Sequence, residues 1–264
     1  MRRLIIIALI LSSINCAFGQ EKSRTYSKWH LKPAAGINTP ITTLLSGEIT
    51  DNLFEYDDYS FYLQFISGSY FFSQNWGVEM NIQFNFSRNI SRRLDRFNAQ
   101  IQSEYGDDYF VNPNSTAWYY DEDILTGSFP RMYLGLVYRI EIPKYILLPK
   151  LFIGLTGVYP DRGSAYLKEK GSHTTLELSY KQDKKSGDQF TIAPGISFGY
   201  RLSKRFVVNF DLLYSYFKTD FEFIKETRNT FTEEVWAETI DYKKDIHTVS
   251  MGVGLIIELN LEKR

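Results

Sequence analysis

Three histidines, His30, His173 and His247, are the only imidazoles in the chain, so general-base chemistry near neutral pH would have to be built around one of them. The set that invites this is His247, Ser250 and Glu258, because a hydroxyl, an imidazole and a carboxylate held together can activate a nucleophile for lipid deacylation. Spacing opposes it. Ser250 lies three residues after His247, and on a regular strand an odd offset sends two side chains to opposite faces. No catalytic set is expected. Asp107-Asp108 and Asp121-Glu122-Asp123 offer hard oxygen ligands, yet their spacing matches no calcium loop, so neither a metal nor a cofactor is expected. Four arginines, Arg88, Arg92, Arg93 and Arg96, carry planar forks that suit phosphate oxygens. They are expected either to contact lipopolysaccharide phosphates or to decorate a solvated, charged strand extension.

Composition narrows the classes further. The 264 residues hold 30 Lys+Arg against 31 Asp+Glu, a formal net charge of -1, which leaves no basic footprint for displacing counterions from nucleic acid. A single cysteine, Cys16, cannot form an internal disulfide. It also falls inside a leader: Arg2 and Arg3, the apolar run Leu4 to Leu11, and Ala17-Phe18-Gly19 before Gln20 make the basic head, hydrophobic middle and small-residue cleavage site of a secretory signal. Removal of residues 1–19 leaves a short tail, 20–28, and a domain over 29–264. Lipidation of Cys16 is the alternative, opposed by Asn15 standing where a small residue is required. Aromatic residues make up 16% of the chain, with 20 Phe, 19 Tyr and 4 Trp, and that excess needs a physical reason.

The elements that position these groups are strands. After residue 19 no apolar run is long enough for a spanning helix, which needs about 20 residues. From 76 to 87 every even position is apolar (Trp76, Val78, Met80, Ile82, Phe84, Phe86) and every odd one is not, the period of two that gives a strand one greasy face. From 248 to 259 the same alternation recurs, broken only by Ile256. This pattern predicts eight strands, near 29–41, 59–72, 76–88, 129–142, 145–159, 189–202, 206–224 and 246–260. Each is longer than the five or six residues typical of globular strands and long enough to cross a membrane at a tilt. Links of two or three residues, at 73–75, 143–144 and 203–205, alternate with long ones at 42–58, 89–128, 160–188 and 225–245, as tight periplasmic turns and long outer loops do. The expectation is an all-β, closed, antiparallel up-and-down transmembrane barrel. A secreted sandwich is the alternative, disfavoured because the polar face carries Gly, Ser, Ala and Asn. The alternating stretches at 174–180 and 232–242 are read as extensions above the membrane; as an extra hairpin they would raise the count to ten. Tyr and Trp on the outward parity, among them Trp29, Trp76, Tyr138, Tyr159, Tyr200, Tyr214 and Tyr216, suit interfacial girdles.

On the inward parity lie Lys32, Glu79, Arg139, Glu141, Lys150, Arg201, Asp211 and Glu258, four of each sign. An eight-stranded ring has an interior just wide enough for its own side chains, so these charges are expected to neutralise one another, with Glu258 bridging to Lys32 across the closing seam and conductance low. An ion path is the alternative.

The leader ending Ala17-Phe18-Gly19 before Gln20, the opening strand Lys32-Pro33-Ala34-Ala35-Gly36-Ile37-Asn38, the segment Pro194-Gly195-Ile196-Ser197-Phe198-Gly199 and the closing Gly252-Val253-Gly254-Leu255 resemble the small outer-membrane β-barrel proteins of Bacteroidota, a group that includes the PorT-like proteins of type IX secretion. The resemblance covers the mature chain, and it implies the fold and the bacterial outer membrane. It carries no catalytic signature, and the usual terminal aromatic is missing, since Leu259 is followed by Asn260-Leu261-Glu262-Lys263-Arg264. A non-enzymatic barrel that braces the membrane or presents loops to an envelope partner is the leading functional expectation. A component of an envelope or type IX secretion assembly comes next, and a lipid-active enzyme or small pore last. Only a few residues follow the last strand, so no peptidoglycan-binding domain is expected.

Overall fold

The computed structural model describes residues 27–41, 49–53, 59–87, 90–112, 117–119, 128–158, 160, 162–182 and 188–261. The leader with Cys16, Arg88, the acidic triplet at 121–123 and Tyr159 lie outside the described residues. Two interrupted strands open the chain, β1 (Ser27–Leu31) with β2 (Ala34–Pro40), then β3 (Ser60–Gln64) with β4 (Ser67–Phe71). After β5 (Trp76–Ser87) come helix α1 (Ile90–Tyr105) and the short β6 (Tyr109–Val111) and β7 (Ala117–Tyr119). The remainder is β8 (Ser128–Tyr138), β9 (Ile140–Ile142), β10 (Tyr145–Gly157), β11 (Arg162–Glu169), β12 (Thr175–Gln182), β13 (Asp188–Arg201), β14 (Phe206–Asn229) and β15 (Val235–Leu261).

All these pairings are antiparallel, and they form a cycle. The first interrupted strand pairs with the second, which pairs with β5; β8, β10, β13, β14 and β15 follow in order. The last strand then returns to the first through Trp29↔Leu259 and Gly36↔Gly252. Among the described residues the result is a ring of eight strand positions, all-β and antiparallel as the alternation predicts, whose last strand pairs with its first. Closure matters physically because it gives the backbone N–H and C=O groups of the wall a partner on both sides.

The two faces of the ring are chemically inverted. Outward positions are large and apolar: Leu134 is 58% exposed, Leu151 54%, Ile153 54% and Val253 59%. Inward positions are buried and mostly polar, among them Glu79, Asn85, Arg131, Arg139, Thr191 and Ser197. One register feature departs from the sequence reading of a single strand over 59–72. Inward side chains are even-numbered in β3 (Ser60, Tyr62, Gln64) and odd-numbered in β4 (Ser67, Ser69, Phe71), because Phe65 and Ile66 both face out, at 62% and 54% exposure. This is the signature of a β-bulge. It turns Ser69 and Phe71 into the lumen.

Beyond the long-link end, β14 and β15 continue as a paired ribbon, and the hairpin β11–β12 adds to β14 through Leu176↔Asn229 to Gln182↔Phe223. The stretch at 174–180 is therefore part of a separate hairpin, and that hairpin sits above the ring without entering it. The segment carrying Arg92, Arg93 and Arg96 is helical, which corrects the strand-extension reading. Its apolar residues Ile90, Leu94, Phe97, Ile101 and Tyr105 recur at spacings of three and four, a helical stripe. Phe97 and Ile101 are fully buried against Leu53, Leu167, Leu178, Tyr180 and Phe221 in one cluster. Lys170 Nζ donates to the carbonyls of Gly106 at 2.7 Å and Asp107 at 3.1 Å, placing a cation in the turn that follows the helix C-terminus. The ring is thus surmounted by a cap with an apolar core of its own.

Candidate functional site

The interior of the ring is built in bands that follow from strand parity. At the short-turn mouth, Arg201 forks onto Glu258 at 2.8 and 2.9 Å and reaches Glu141 at 3.4 Å. Arg139 donates to the carbonyls of Ser27 at 3.0 Å and Gln74 at 2.6 Å and lies 4.1 Å over the Phe71 ring. His30 is buried, with Nε2 3.9 Å from Glu258. One turn of the ladder higher, Phe71, Val137, Ile146, Leu148, Val207 and Ile256 form a buried apolar cluster. Ile256, the exception to the alternation of the last strand, is an inward residue that completes this cluster.

Above it lies a charge layer. Lys32 Nζ contacts both oxygens of Glu79 at 2.8 and 3.0 Å, and Lys150 Nζ bridges Glu79 at 3.3 Å and Asp211 at 2.7 Å. Two cations face two carboxylates, and further donors reach both: Ser69 donates to Glu79 at 2.9 Å, while Ser197 and Asn209 donate to Asp211. Hydrogen bonding is what makes burial of such charges tolerable. The next band is aromatic and aliphatic, with Tyr133, Phe152, Ala193 and Leu213 packed together and Tyr62 buried at the seam. Inward glycines make room for it. A Cβ on Gly36 would meet the Tyr62 ring at 2.7 Å, and one on Gly154 the Tyr133 ring at 2.8 Å. A final polar band holds Asn38, Asn85, Arg131, Thr156, Thr191 and Ser250, with Arg131 donating to Thr248 at 3.1 Å and Thr191 to Thr156 at 2.8 Å.

All eight inward charges read from the alternation thus have an ionic partner, in two groups. The mouth group is Arg139, Glu141, Arg201 and Glu258; the inner group is Lys32, Glu79, Lys150 and Asp211. Their assignment across the seam differs from expectation, since Glu258 takes Arg201 and Lys32 takes Glu79. The bulge and the ring diameter, neither visible in a linear pattern, decide which partners are within reach. Arg131 was not among the sequence-derived charges although it shares inward parity with Tyr133 and Arg139. Parity was the available signal.

His247, Ser250 and Glu258 are not brought together. Ser250 is buried and donates to Asn38, Glu258 is held by Arg201, and His247 lies on the outward face, where Tyr214 bonds its Nδ1. His173 is exposed in the β11–β12 turn. Outward aromatics gather at the two ends of the wall. Trp29 packs near Tyr70 at 4.6 Å, Trp76 near Tyr138 at 4.9 Å and Tyr145 near Tyr200 at 5.5 Å at the short-turn end. At the other end, Tyr216 lies 5.0 Å from His247 and Tyr59 6.0 Å from Phe61.

A family model described as the outer membrane protein beta-barrel domain matches residues 45–256. No curated protein matches the chain. Among solved structures, the chain is similar to a major outer membrane protein from Thermus thermophilus, at 9% identity, 88% coverage of this chain and 99% of the other, with a TM-score of 0.39. It is also similar to the outer membrane protease OmpT from Escherichia coli, at 11% identity, 76% and 64% coverage and a TM-score of 0.38. For the outer membrane protein AlkL in DMPC bilayers the figures are 12% identity, 93% and 97% coverage and a TM-score of 0.29.

Proposed function

Because the chain belongs to the outer membrane β-barrel domain family, we propose that its ring is an eight-stranded transmembrane barrel of structural or loop-displaying role that passes no solute. The observation that carries this reading is the filled interior: the apolar cluster at Phe71, the charge layer at Glu79 and the aromatic band at Tyr133 are stacked along one lumen and buried. The inverted wall supplies the membrane half of the argument, since outward residues such as Leu134 and Ile153, exposed in water, match hydrocarbon. In this reading the short turns and both termini face the periplasm, residues 1–19 are removed on export, and the cap stands outside. Arg92, Arg93 and Arg96 of α1, with Arg88 shortly before it in the sequence, would meet lipopolysaccharide phosphates in this reading. Lipid A modification has no support from the His247, Ser250 and Glu258 geometry.

A second reading, membership in an envelope or PorT-like secretion assembly, is favoured by the cap, because an extramembrane layer with its own core exceeds what a membrane brace needs. Planar-bilayer recording distinguishes a plugged barrel from a pore. The expected trace has no large, stable conductance steps at neutral pH; such steps from the intact protein would overturn the plugged reading.

A further inference from the structure

Among the described residues the wall of the ring closes on itself, and the ribbon above it has an unpaired edge. We infer that the upper part of β15, Val235 to Asp245, is a docking edge for an extended peptide segment of another protein, which adds to it as a strand. Two backbone bonds set the phase: Ile41 N–H donates to His247 O at 2.8 Å, and Leu255 N–H donates to Pro33 O at 2.9 Å. Odd-numbered residues of β15 therefore turn their N–H and C=O groups away from β14. From Thr248 onward those groups face β1 and β2. Above that point β2 ends at Pro40, opposite Thr248, and the Ile41–His247 bond is the last one from that side among the described residues.

From Val235 to Asp245, β15 pairs only with β14 among the described residues. Val235, Ala237, Thr239, Asp241, Lys243 and Asp245 are all exposed, and each presents one donor and one acceptor along the open side. A row of such groups is a template for strand addition. The even-numbered side chains on the inner face, Ile240, Tyr242 and Ile246, belong to the apolar core of the cap or pack against it. A strand laid on this edge would extend that core, so its inner-face residues must be apolar. On the outer face Lys243 is committed to Asp220 at 3.5 Å, while Asp241 has no ion pair among the described residues. The partner segment is therefore extended, free of proline, apolar on one face and basic on the other.

A second copy in the same membrane cannot add to this edge in an antiparallel ladder. Two barrels inserted alike have their β15 strands running the same way, whereas joining this edge to its own copy in an antiparallel ladder requires one strand to be reversed. Only the direction from which the partner comes rests on the membrane reading; the open edge itself does not.

The test uses the full chain in lipid nanodiscs, read by residue-resolved hydrogen exchange, with an alternating lysine–valine heptapeptide as the probe. Without peptide, the amides of Thr239, Asp241 and Lys243 should exchange at least about 100-fold faster than those of Ile240, Tyr242 and Lys244. With peptide, the odd-numbered set should slow about tenfold or more, and the same peptide N-methylated at alternate amides should have no effect. Thr239→Pro should abolish the slowing while leaving the barrel folded, because the lost N–H faces the open side. Asp241→Lys should weaken peptide binding about tenfold. The inference is overturned if the odd amides are already slow without peptide, if no peptide-dependent slowing occurs, or if the N-methylated peptide works equally well. A dimer in nanodiscs that Thr239→Pro dissolves would replace the foreign segment with a second copy.

Discussion

Lys150 is the hinge of the charge layer, since its Nζ is the one group that touches both carboxylates, Asp211 at 2.7 Å and Glu79 at 3.3 Å. Replacing it by methionine keeps most of the volume but leaves Glu79 and Asp211 facing each other with Lys32 as the remaining cation of that layer. Breaking a buried pair from one side costs about 3–5 kcal/mol because an uncompensated charge stays behind. Lys150→Met should therefore lower stability by about that much in urea titrations followed by the gel shift of folded barrels. Adding Asp211→Leu should return most of it, since removing both partners can be nearly neutral. An unchanged midpoint for the single variant would show that the layer is hydrated and the ion pairs contribute little.

At the scale of elements, the cap and the ring have separate cores, so they should respond separately to pH. Burial, reinforced by Tyr105 and Glu104, pushes the Tyr180 phenol well above its ordinary value. Tyr105 is also raised, again by burial first, with Glu104 adding to the effect and Lys225 opposing it. For a phenol, a raised folded-state value means that the cap prefers the protonated form more strongly than the unfolded chain does. The resulting stability is complete below the unfolded phenol's pKa of about 10 and is lost as pH climbs above it. Protease cleavage within the cap, and the phenolate absorbance that Tyr180→Phe removes, should accordingly begin together above a pH of about 10, with the ring still intact. Tyr180→Phe should move the onset upward. Loss of phenolate absorbance near pH 10 on Tyr180→Phe, while the unsubstituted cap still resists protease, would show that this ring is open to water.

For the whole molecule, the decisive property is the inversion of its faces. Leu134 sits mid-strand on the outward side of β8, flanked by Met132 and Leu136 and 58% exposed. In a lipid bilayer Leu134→Arg should cost about 2–4 kcal/mol, the penalty for a cation near the midplane of a barrel wall. On a water-facing surface the same change would stay within about 0.5 kcal/mol. Folding titrations into vesicles separate the two, and a neutral effect would remove the membrane from the reading of this wall.

Much of this architecture was legible from alternation alone. Period two depends only on neighbouring residues and on the fact that a strand turns successive side chains to opposite faces, so the ring strands, the eight inward charges and the outward aromatics could be read from the chain. The helix at Ile90–Tyr105 was equally local in principle, since Phe97, Ile101 and Tyr105 repeat at four, but the charge of Arg92, Arg93 and Arg96 fits a solvated strand extension as well as a helix. Other features were beyond any linear pattern. The partner of Glu258, the lumen path of Ile256, the parity switch at Phe65–Ile66 and the open edge of β15 depend on ring closure and on which strand lies beside which. Those are long-range pairings, set by register across residues as far apart as Trp29 and Leu259, and only the folded wall brings such positions within reach of one another.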